Sequence, residues 1–191
     1  MISFMHTVDL AVFRWLNAWA GASPFLDWLI LLNANYTLWM LFALGGITGL
    51  CMVLPRSRHL YERYAKPLIL AACAAFFGRF IITETIRFLH KRARPFEMLP
   101  DARALFDNTS SGSFPSGHAA LSFAIATAIS LYFPKAGGIL FLIALFMGAA
   151  RVTAGVHWPS DILGGAVVGI LSAFLVRYIL NKIKSVKKTA D

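Results

Sequence analysis

Five long apolar runs, separated by shorter polar stretches, dominate the chain. A run of about 20 apolar residues can cross the ~30 Å hydrocarbon core of a bilayer as a helix. The first run is interrupted by polar residues at 33–35, where we expect a bend. The pattern predicts an all-α fold, a polytopic membrane helix bundle with five transmembrane helices. The predicted spans cover residues 24–54, 67–90, 117–133, 138–154 and 161–180.

Residues 2–19 follow a different pattern. One side of a 3.6-residue period carries His6, Asp9, Arg14 and Asn17, and the opposite side carries Phe4, Val8, Ala11, Trp15 and Trp19. Charges are costly inside a span and Trp suits the headgroup level, so the segment is predicted to be an interfacial amphipathic helix. We expect its polar side chains to contact water or phosphate. A cleaved signal peptide is the alternative, which the missing basic start and the acidic residue within the apolar part disfavour.

Three polar islands lie between the runs, at residues 87–95, 112–118 and 151–161. Two predicted spans separate the second island from the third, and a helical hairpin returns the chain to the side that it left. The loop at 91–115 stays outside the apolar phase, so the first island joins the other two. The pattern therefore predicts one site built from three islands.

Composition supports a single membrane domain over residues 1–191. Hydrophobic residues make up 58% of the chain and charged residues 14%, whereas soluble domains carry about 25% charge. A net charge of +9 could suggest nucleic acid, but the cations lie in short segments that flank the spans. The predicted partner is the lipid bilayer with its anionic lipids, and not nucleic acid. Nothing in the sequence indicates an oligomeric state.

The distribution of Lys and Arg predicts the orientation. The loop at 56–66, the turn at 134–137 and the tail at 181–191 carry nine, against six on the opposite side, several of them within the islands. By the positive-inside rule the basic tail is cytoplasmic. The islands and the N-terminal helix are then expected on the periplasmic or extracellular face of the cell (inner) membrane.

The islands contain the residue types of a phosphoryl-transfer site that works without a metal. Guanidinium groups bind phosphate oxygens in pairs and neutralise the charge of the transition state. Backbone N–H groups of Ser116 and Gly117, at the start of the third span, would add donors. One neutral histidine could attack phosphorus while another protonates the leaving oxygen. Asp161, four residues after His157, could fix the tautomer, and no cofactor or metal site is expected.

The islands resemble the three-part pattern of the type 2 phosphatidic acid phosphatase superfamily of membrane lipid phosphatases. The matching residues are Arg87, Arg94-Pro95, Pro115-Ser116-Gly117-His118, Arg151, His157 and Asp161. The resemblance implies His157 as the nucleophile, Asp161 as its orienting partner and His118 as the general acid and base. It implies a phosphate-binding cradle of Arg87, Arg94, Arg151, Ser116 and Gly117, and no metal.

Two positions depart from the family pattern: Arg87 replaces a lysine and Ala150 replaces a serine. Lys91, one helical turn after Arg87, could serve in place of the lysine. Glu84 lies three residues before Arg87 and is expected to hold it. Arg79 lies near the middle of a predicted span, where an arginine without a partner raises the free energy of membrane insertion. It is therefore expected either to contact substrate or to form a structural ion pair.

The sequence thus predicts an integral-membrane lipid phosphatase or diphosphatase that forms a phosphohistidine. Undecaprenyl diphosphate is the first expected substrate, and phosphatidylglycerophosphate and lipid A phosphates fit the same residues. A non-catalytic lipid-phosphate binder or transporter is the alternative from another class. It is disfavoured because His118, His157 and Asp161 are all present.

Overall fold

A computed structural model describes residues 2–53, 58–106 and 112–190 of the chain. Within these residues the structure is all helical. Two of the long helices contain a π-helical segment, π1 and π2, where the backbone is wound more loosely. In chain order the elements are α1 (Ile2–Asn17), α2 (Pro24–Leu31), π1 (Leu32–Tyr36), α3 (Thr37–Val53), α4 (Arg58–Phe76), π2 (Phe77–Ile82), α5 (Thr83–Leu89), α6 (Pro95–Met98), α7 (Gly117–Ser130), α8 (Pro134–Thr153) and α9 (Pro159–Ala190).

Four helical stretches are long and apolar enough to cross a membrane. They are Pro24–Leu50, Arg63–Leu89, Pro134–Thr153 and Pro159–Ile183. The predicted third span corresponds to α7, which has 14 residues and is therefore roughly 21 Å long at 1.5 Å per residue. The chain is thus a multi-pass helical membrane protein, and the count of five spans stays a prediction.

Helix α7 forms the centre of the bundle and packs against α4, α8 and α9. Small side chains let the helix backbones approach closely, as is usual between helices in a membrane. The fully buried alanines of these four helices are Ala74, Ala119, Ala120, Ala124, Ala126, Ala128, Ala144 and Ala173. This packing matters for function because α7 begins, and α8 ends, at the polar islands.

Helix α1 lies against the island end of the bundle. Its buried face carries Asp9, Phe13 and Asn17, which recur every four residues and so share one side of the helix. Asn17 donates to the carbonyl groups of Arg103 and Thr153, at 2.8 Å each. The expectation that the polar side of this helix contacts water or phosphate is therefore wrong for Asp9 and Asn17, whose hydrogen bonds are made within the protein.

Several element boundaries differ from the predicted ones. The basic segment at 56–66, expected to be a loop, is helical from Arg58, and the turn at 134–137 is the first turn of α8. The tail at 181–191 continues α9 as far as Ala190, because no Gly or Pro interrupts it. The bend expected at 33–35 coincides with π1, whereas the predicted end of the first span, at residue 54, lies outside the described residues.

Candidate active site

The end of α8 brings His157 close to Arg151. Gly155 follows the helix with φ +84°, a left-handed conformation that glycine adopts without strain. A Cβ atom at this position would lie 2.3 Å from the carbonyl oxygen of Arg103. Glycine therefore reverses the chain here, and α8 ends at Thr153 with a turn before His157.

His157 and Asp161 form a buried pair beside this turn. His157 Nδ1 lies 3.3 Å from Asp161 Oδ2, which also accepts the backbone N–H of Trp158 at 2.8 Å. A carboxylate can only accept, so Nδ1 carries the proton and Nε2 keeps a lone pair. Burial and, after it, the positive charge of Arg151 lower the pKa of His157 well below its usual range. The ring is thus a neutral imidazole suited to nucleophilic attack.

The start of α7 supplies the second island. Ser116 caps the helix, its hydroxyl accepting the N–H of Ala119 at 3.5 Å. The backbone N–H of Ser116 donates to the carbonyl of Asp161 at 2.9 Å, so this predicted phosphate donor is already engaged. His118, in the first helical turn, lies within electrostatic range of His157 and Arg151.

Three arginines from different elements surround the two histidines. Arg87 Nε donates to the carbonyl of Pro115 at 3.1 Å, and an Arg94 N–H donates to the carbonyl of Val156 at 2.8 Å. Arg151 donates to the carbonyl of Ala34, in π1, at 3.1 Å. All three side chains are buried. Hydrogen bonds to backbone carbonyls orient these guanidinium groups without themselves neutralising the charge.

Glu84 connects Arg87 to a fourth arginine. Its carboxylate lies 3.3 Å from Arg87 and also pairs with Arg79, so the predicted contact between Glu84 and Arg87 is present. Arg79 extends across the start of α7, where a Cβ at Gly117 would lie 2.5 Å from Arg79 Nε. Arg79 therefore belongs to the margin of the site, although it lies far along the helix from the first island.

Two neighbouring basic residues of the first island have contrasting surroundings. Lys91, considered as a substitute for the family lysine, is exposed, whereas Arg87 is buried in the site. Arg92, which was not predicted, donates to Asp161 at 2.7 Å and to Asp9 at 2.6 Å. The available signal was Asp9 itself, because a carboxylate within an apolar helix indicates a charged partner.

The described part of the chain contains no group of three or more His, Cys, Asp or Glu side chains that could hold a metal ion. Positive charge around the histidines comes from guanidinium groups. The site therefore combines a neutral imidazole with an oriented tautomer, a second histidine and several arginines. This arrangement can bind a phosphate anion and transfer its phosphoryl group.

Comparison with known proteins agrees with this chemistry. The chain is 28% identical to the bacitracin transport permease protein BcrC of Bacillus licheniformis over 92% of its own length and 82% of that protein. It is 33% identical to undecaprenyl-diphosphatase BcrC of Bacillus subtilis, over 50% of its length and 49% of that protein. The crystal structure of Aquifex aeolicus LpxE superimposes with a TM-score of 0.67 and 27% identity, over 88% of this chain and 94% of that one.

The family model of the PAP2 superfamily matches residues 68–185, which is more than half of the chain and includes all three islands. The helical fold and the residues gathered in the site agree with that match. The chain therefore belongs to the PAP2 superfamily and is a membrane-embedded phosphoric ester hydrolase.

Proposed function

We propose that this protein is a lipid phosphatase or diphosphatase that hydrolyses undecaprenyl diphosphate to undecaprenyl phosphate at the outer leaflet. The observation that carries the proposal is the buried His157 and Asp161 pair among three arginines. Among the described residues, Arg151 Nε is a buried donor with no hydrogen-bond partner. A buried guanidinium donor needs an acceptor, and a phosphate oxygen would supply one. The named activity of the Bacillus subtilis relative supports the choice of lipid.

In the first half of the reaction, His157 Nε2 attacks the terminal phosphorus and a P–N bond forms. The bond between that phosphorus and the bridging oxygen breaks, and the lipid monophosphate leaves. His118 donates a proton to the leaving oxygen. The negative charge of the substrate offsets the field of the surrounding arginines, which allows His118 to hold that proton.

In the second half, His118 takes a proton from a water molecule whose oxygen attacks the phosphohistidine. The P–N bond breaks, inorganic phosphate is released and His157 returns to its neutral form. One water molecule is consumed per phosphate, and no metal takes part. Arg87, Arg94 and Arg151 stabilise the charge on the equatorial oxygens in both steps.

The proposed topology has five spans, with α7 as the third and the basic tail in the cytoplasm. The site then faces the periplasmic or extracellular side of the cell membrane. The hairpin of α7 and α8 supports this arrangement, as does the contact of α1 with the island end. A single cysteine at Ser3 should react with an impermeant reagent outside intact cells. Labelling only after lysis would contradict the orientation.

The direct test is phosphate release by detergent-purified protein from a panel of lipids. The panel contains undecaprenyl diphosphate, phosphatidylglycerophosphate and a lipid A phosphate. We expect the first to be hydrolysed with the highest kcat/KM, and we expect activity to persist in EDTA. Acid-labile phosphoenzyme should accumulate in the wild type and be absent from His157→Ala. Turnover by His157→Ala at the wild-type rate would rule out the nucleophile assignment, and activity that needs added Mg²⁺ would rule out the metal-free mechanism.

A transporter or binder of lipid phosphate is the second candidate, because one similar protein carries the name of a transport permease. Such a protein would bind the lipid without releasing phosphate. Equal binding of the lipid by the wild type and His157→Ala, with no phosphate released by either, would favour it. Multiple turnovers by purified wild-type protein would exclude it.

A further inference from the structure

We infer that Asp9, on the N-terminal helix, is a positioning residue for the reaction. Acting through Arg92, it fixes the orientation of the Asp161 carboxylate, which in turn orients His157. It also sets the net charge of the group formed by Asp9, Arg92 and Asp161. The inference rests on the proposed function, because it takes His157 as the nucleophile. It adds a residue from outside the three islands to the machinery of the site.

Asp9 is buried, and its hydrogen bonds lead to the site. Its Oδ1 accepts the backbone N–H of Ser160 at 2.8 Å. Its Oδ2 accepts Arg92 at 2.6 Å and also the hydroxyl of Ser160. Three donors around one carboxylate fix its position.

Arg92 bridges the two carboxylates through different nitrogens. One terminal nitrogen donates to Asp9, and the other donates to Asp161 Oδ1 at 2.7 Å and to the Ser160 hydroxyl at 2.6 Å. The guanidinium plane also lies 5.3 Å from the ring of Trp158. A guanidinium group with hydrogen bonds to two carboxylates and a hydroxyl, and an aromatic ring against it, has little freedom to rotate. The position of Asp161 is thus linked to that of Asp9.

The charges explain why a second carboxylate is needed. Arg92 alone would neutralise Asp161 and weaken its interaction with the imidazole. With Asp9 included, the two carboxylates and one guanidinium sum to a net charge of −1. That charge stabilises the positive charge which develops on His157 when it attacks phosphorus. Arg92 therefore holds Asp161 in position, and Asp9 restores the negative charge that the Arg92 guanidinium would otherwise cancel.

Independent contacts hold α1 in place beside this network. Phe13 is buried against Trp158, with ring centroids 5.4 Å apart. Asn17 makes hydrogen bonds to the backbone near the end of α8 and the 91–115 loop. Both lie on the same face of the helix as Asp9. The helix would remain docked through these contacts after a conservative change of Asp9, so the charge can be tested separately from the docking.

The test compares Asp9→Asn, Asp9→Glu and Arg92→Gln with the wild type, using undecaprenyl diphosphate in detergent. We expect Asp9→Asn to lower kcat about tenfold, an effect of the size seen for outer partners of a functional histidine, while KM changes less than twofold. Asp9→Glu, which keeps the charge, should recover part of the loss. In the Arg92→Gln background, Asp9→Asn should change kcat less than twofold, because the bridge is already broken.

Arg14→Gln is the matched control. It lies on the same helix and breaks the exposed ion pair between Arg14 and Asp101, whose atoms are 3.2 Å apart. Its kcat and KM should match the wild type. A purely structural role for Asp9 predicts a raised KM with unchanged kcat, no recovery in Asp9→Glu, or an equal loss in the Arg92→Gln background. Any of these outcomes would overturn the inference.

Ser160→Ala provides a second route if Asp9→Asn does not yield folded protein. It removes the hydroxyl that contacts both Asp9 and Arg92 without leaving a buried charge unpaired. We expect kcat to fall about threefold, less than for Asp9→Asn, because a neutral hydroxyl is lost rather than a charge, and an unchanged kcat would overturn the inference. Failure of the proposed function has a different signature, because either His157→Ala would retain phosphate release or the wild type would release none.

Discussion

The arginine cradle is flanked by two carboxylates in contrasting surroundings. Asp161 has no exposed side-chain surface and binds Arg92 and His157. Glu84 is 40% exposed and binds Arg79 and Arg87. We call these the sealed side and the open side of the site. Each carboxylate pairs with two basic side chains, but the Asp161 carboxylate is fully buried whereas the Glu84 carboxylate is partly accessible to solvent.

The difference indicates a division of labour between the two sides. Breaking a buried charged network costs several kcal/mol, whereas an exposed ion pair contributes about 0–1 kcal/mol. The sealed side therefore suits the fixed geometry that nucleophilic attack requires. Arg79, on the open side, lies ten residues before the end of α5, which is roughly 15 Å along the helix. The open side thus extends along the helix, away from the first island.

The largest expected effect is on the sealed side. Asp161→Asn keeps the shape of the side chain but removes its charge and permits the wrong tautomer of His157. We expect kcat to fall on the order of 10³-fold or more, as when the orienting carboxylate of a catalytic histidine is replaced. Phosphate release at saturating lipid measures this, with thermal unfolding in detergent as the control for folding. A loss of less than tenfold would show that the sealed side does not control the nucleophile.

An intermediate effect is expected for Glu84→Gln. The change removes the carboxylate that Arg79 and Arg87 share. The two guanidinium groups are then less well oriented on the open side, but they keep their positive charge. We expect kcat/KM to fall about tenfold, equivalent to 1.4 kcal/mol, mainly through a higher KM. Steady-state kinetics with the diphosphate lipid measures this. A fall in kcat at unchanged KM would remove the distinction between the two sides.

A smaller effect is expected for Arg79→Gln. Arg79 is 26% exposed and paired with Glu84, so solvent and the carboxylate both screen its charge. We expect KM for the lipid diphosphate to rise about threefold, with kcat retained, which corresponds to less than 1 kcal/mol. The same kinetic measurement is made for Arg79→Gln with a short soluble phosphate as the second substrate. An equal effect on both substrates at unchanged kcat would place Arg79 on the transferred phosphate itself.

The smallest effect is expected for Ala150→Ser, which restores the hydroxyl of the family pattern. Ala150 is buried beside Ile30 and Ala34, away from both carboxylates. A serine in the helix interior can donate to the carbonyl four residues earlier, so the hydroxyl need not stay unpaired. We expect kcat/KM to change less than about threefold. A larger gain in kcat would mean that the missing hydroxyl limits this enzyme.

Local sequence patterns predict much of the site. The spacing of Arg151, His157 and Asp161 corresponds to a helix end, a glycine turn and a new helix start, all of which are local features. The pairing of Glu84 with Arg87 follows from the three-residue spacing on a helix. These relations depend on neighbours in the chain and are visible in one sequence.

Contacts between distant segments could not be predicted in this way. Asp9 contacts Arg92 and Ser160 across separations of 83 and 151 residues, and the periodicity of the sequence does not identify partners so far apart. Amphipathic patterning indicated that α1 has two faces, but not which face meets the protein. Val8, Trp15 and Trp19 remain exposed, because in a membrane environment the apolar face can contact lipid while the polar face is buried.

The two π-helical segments have a consequence for how this architecture tolerates insertions and deletions. π1 presents the carbonyl of Ala34 to Arg151, and π2 contains Arg79. A π-helical turn holds one residue more than an α-helical turn, so it resembles a single-residue insertion accommodated within a helix. Removing one residue from 77–82 would restore a regular helix and leave the residues beyond it in nearly the same phase. Glu84 and Arg87 would then still face the histidines, and only the placement of residues within the segment, Arg79 among them, would change.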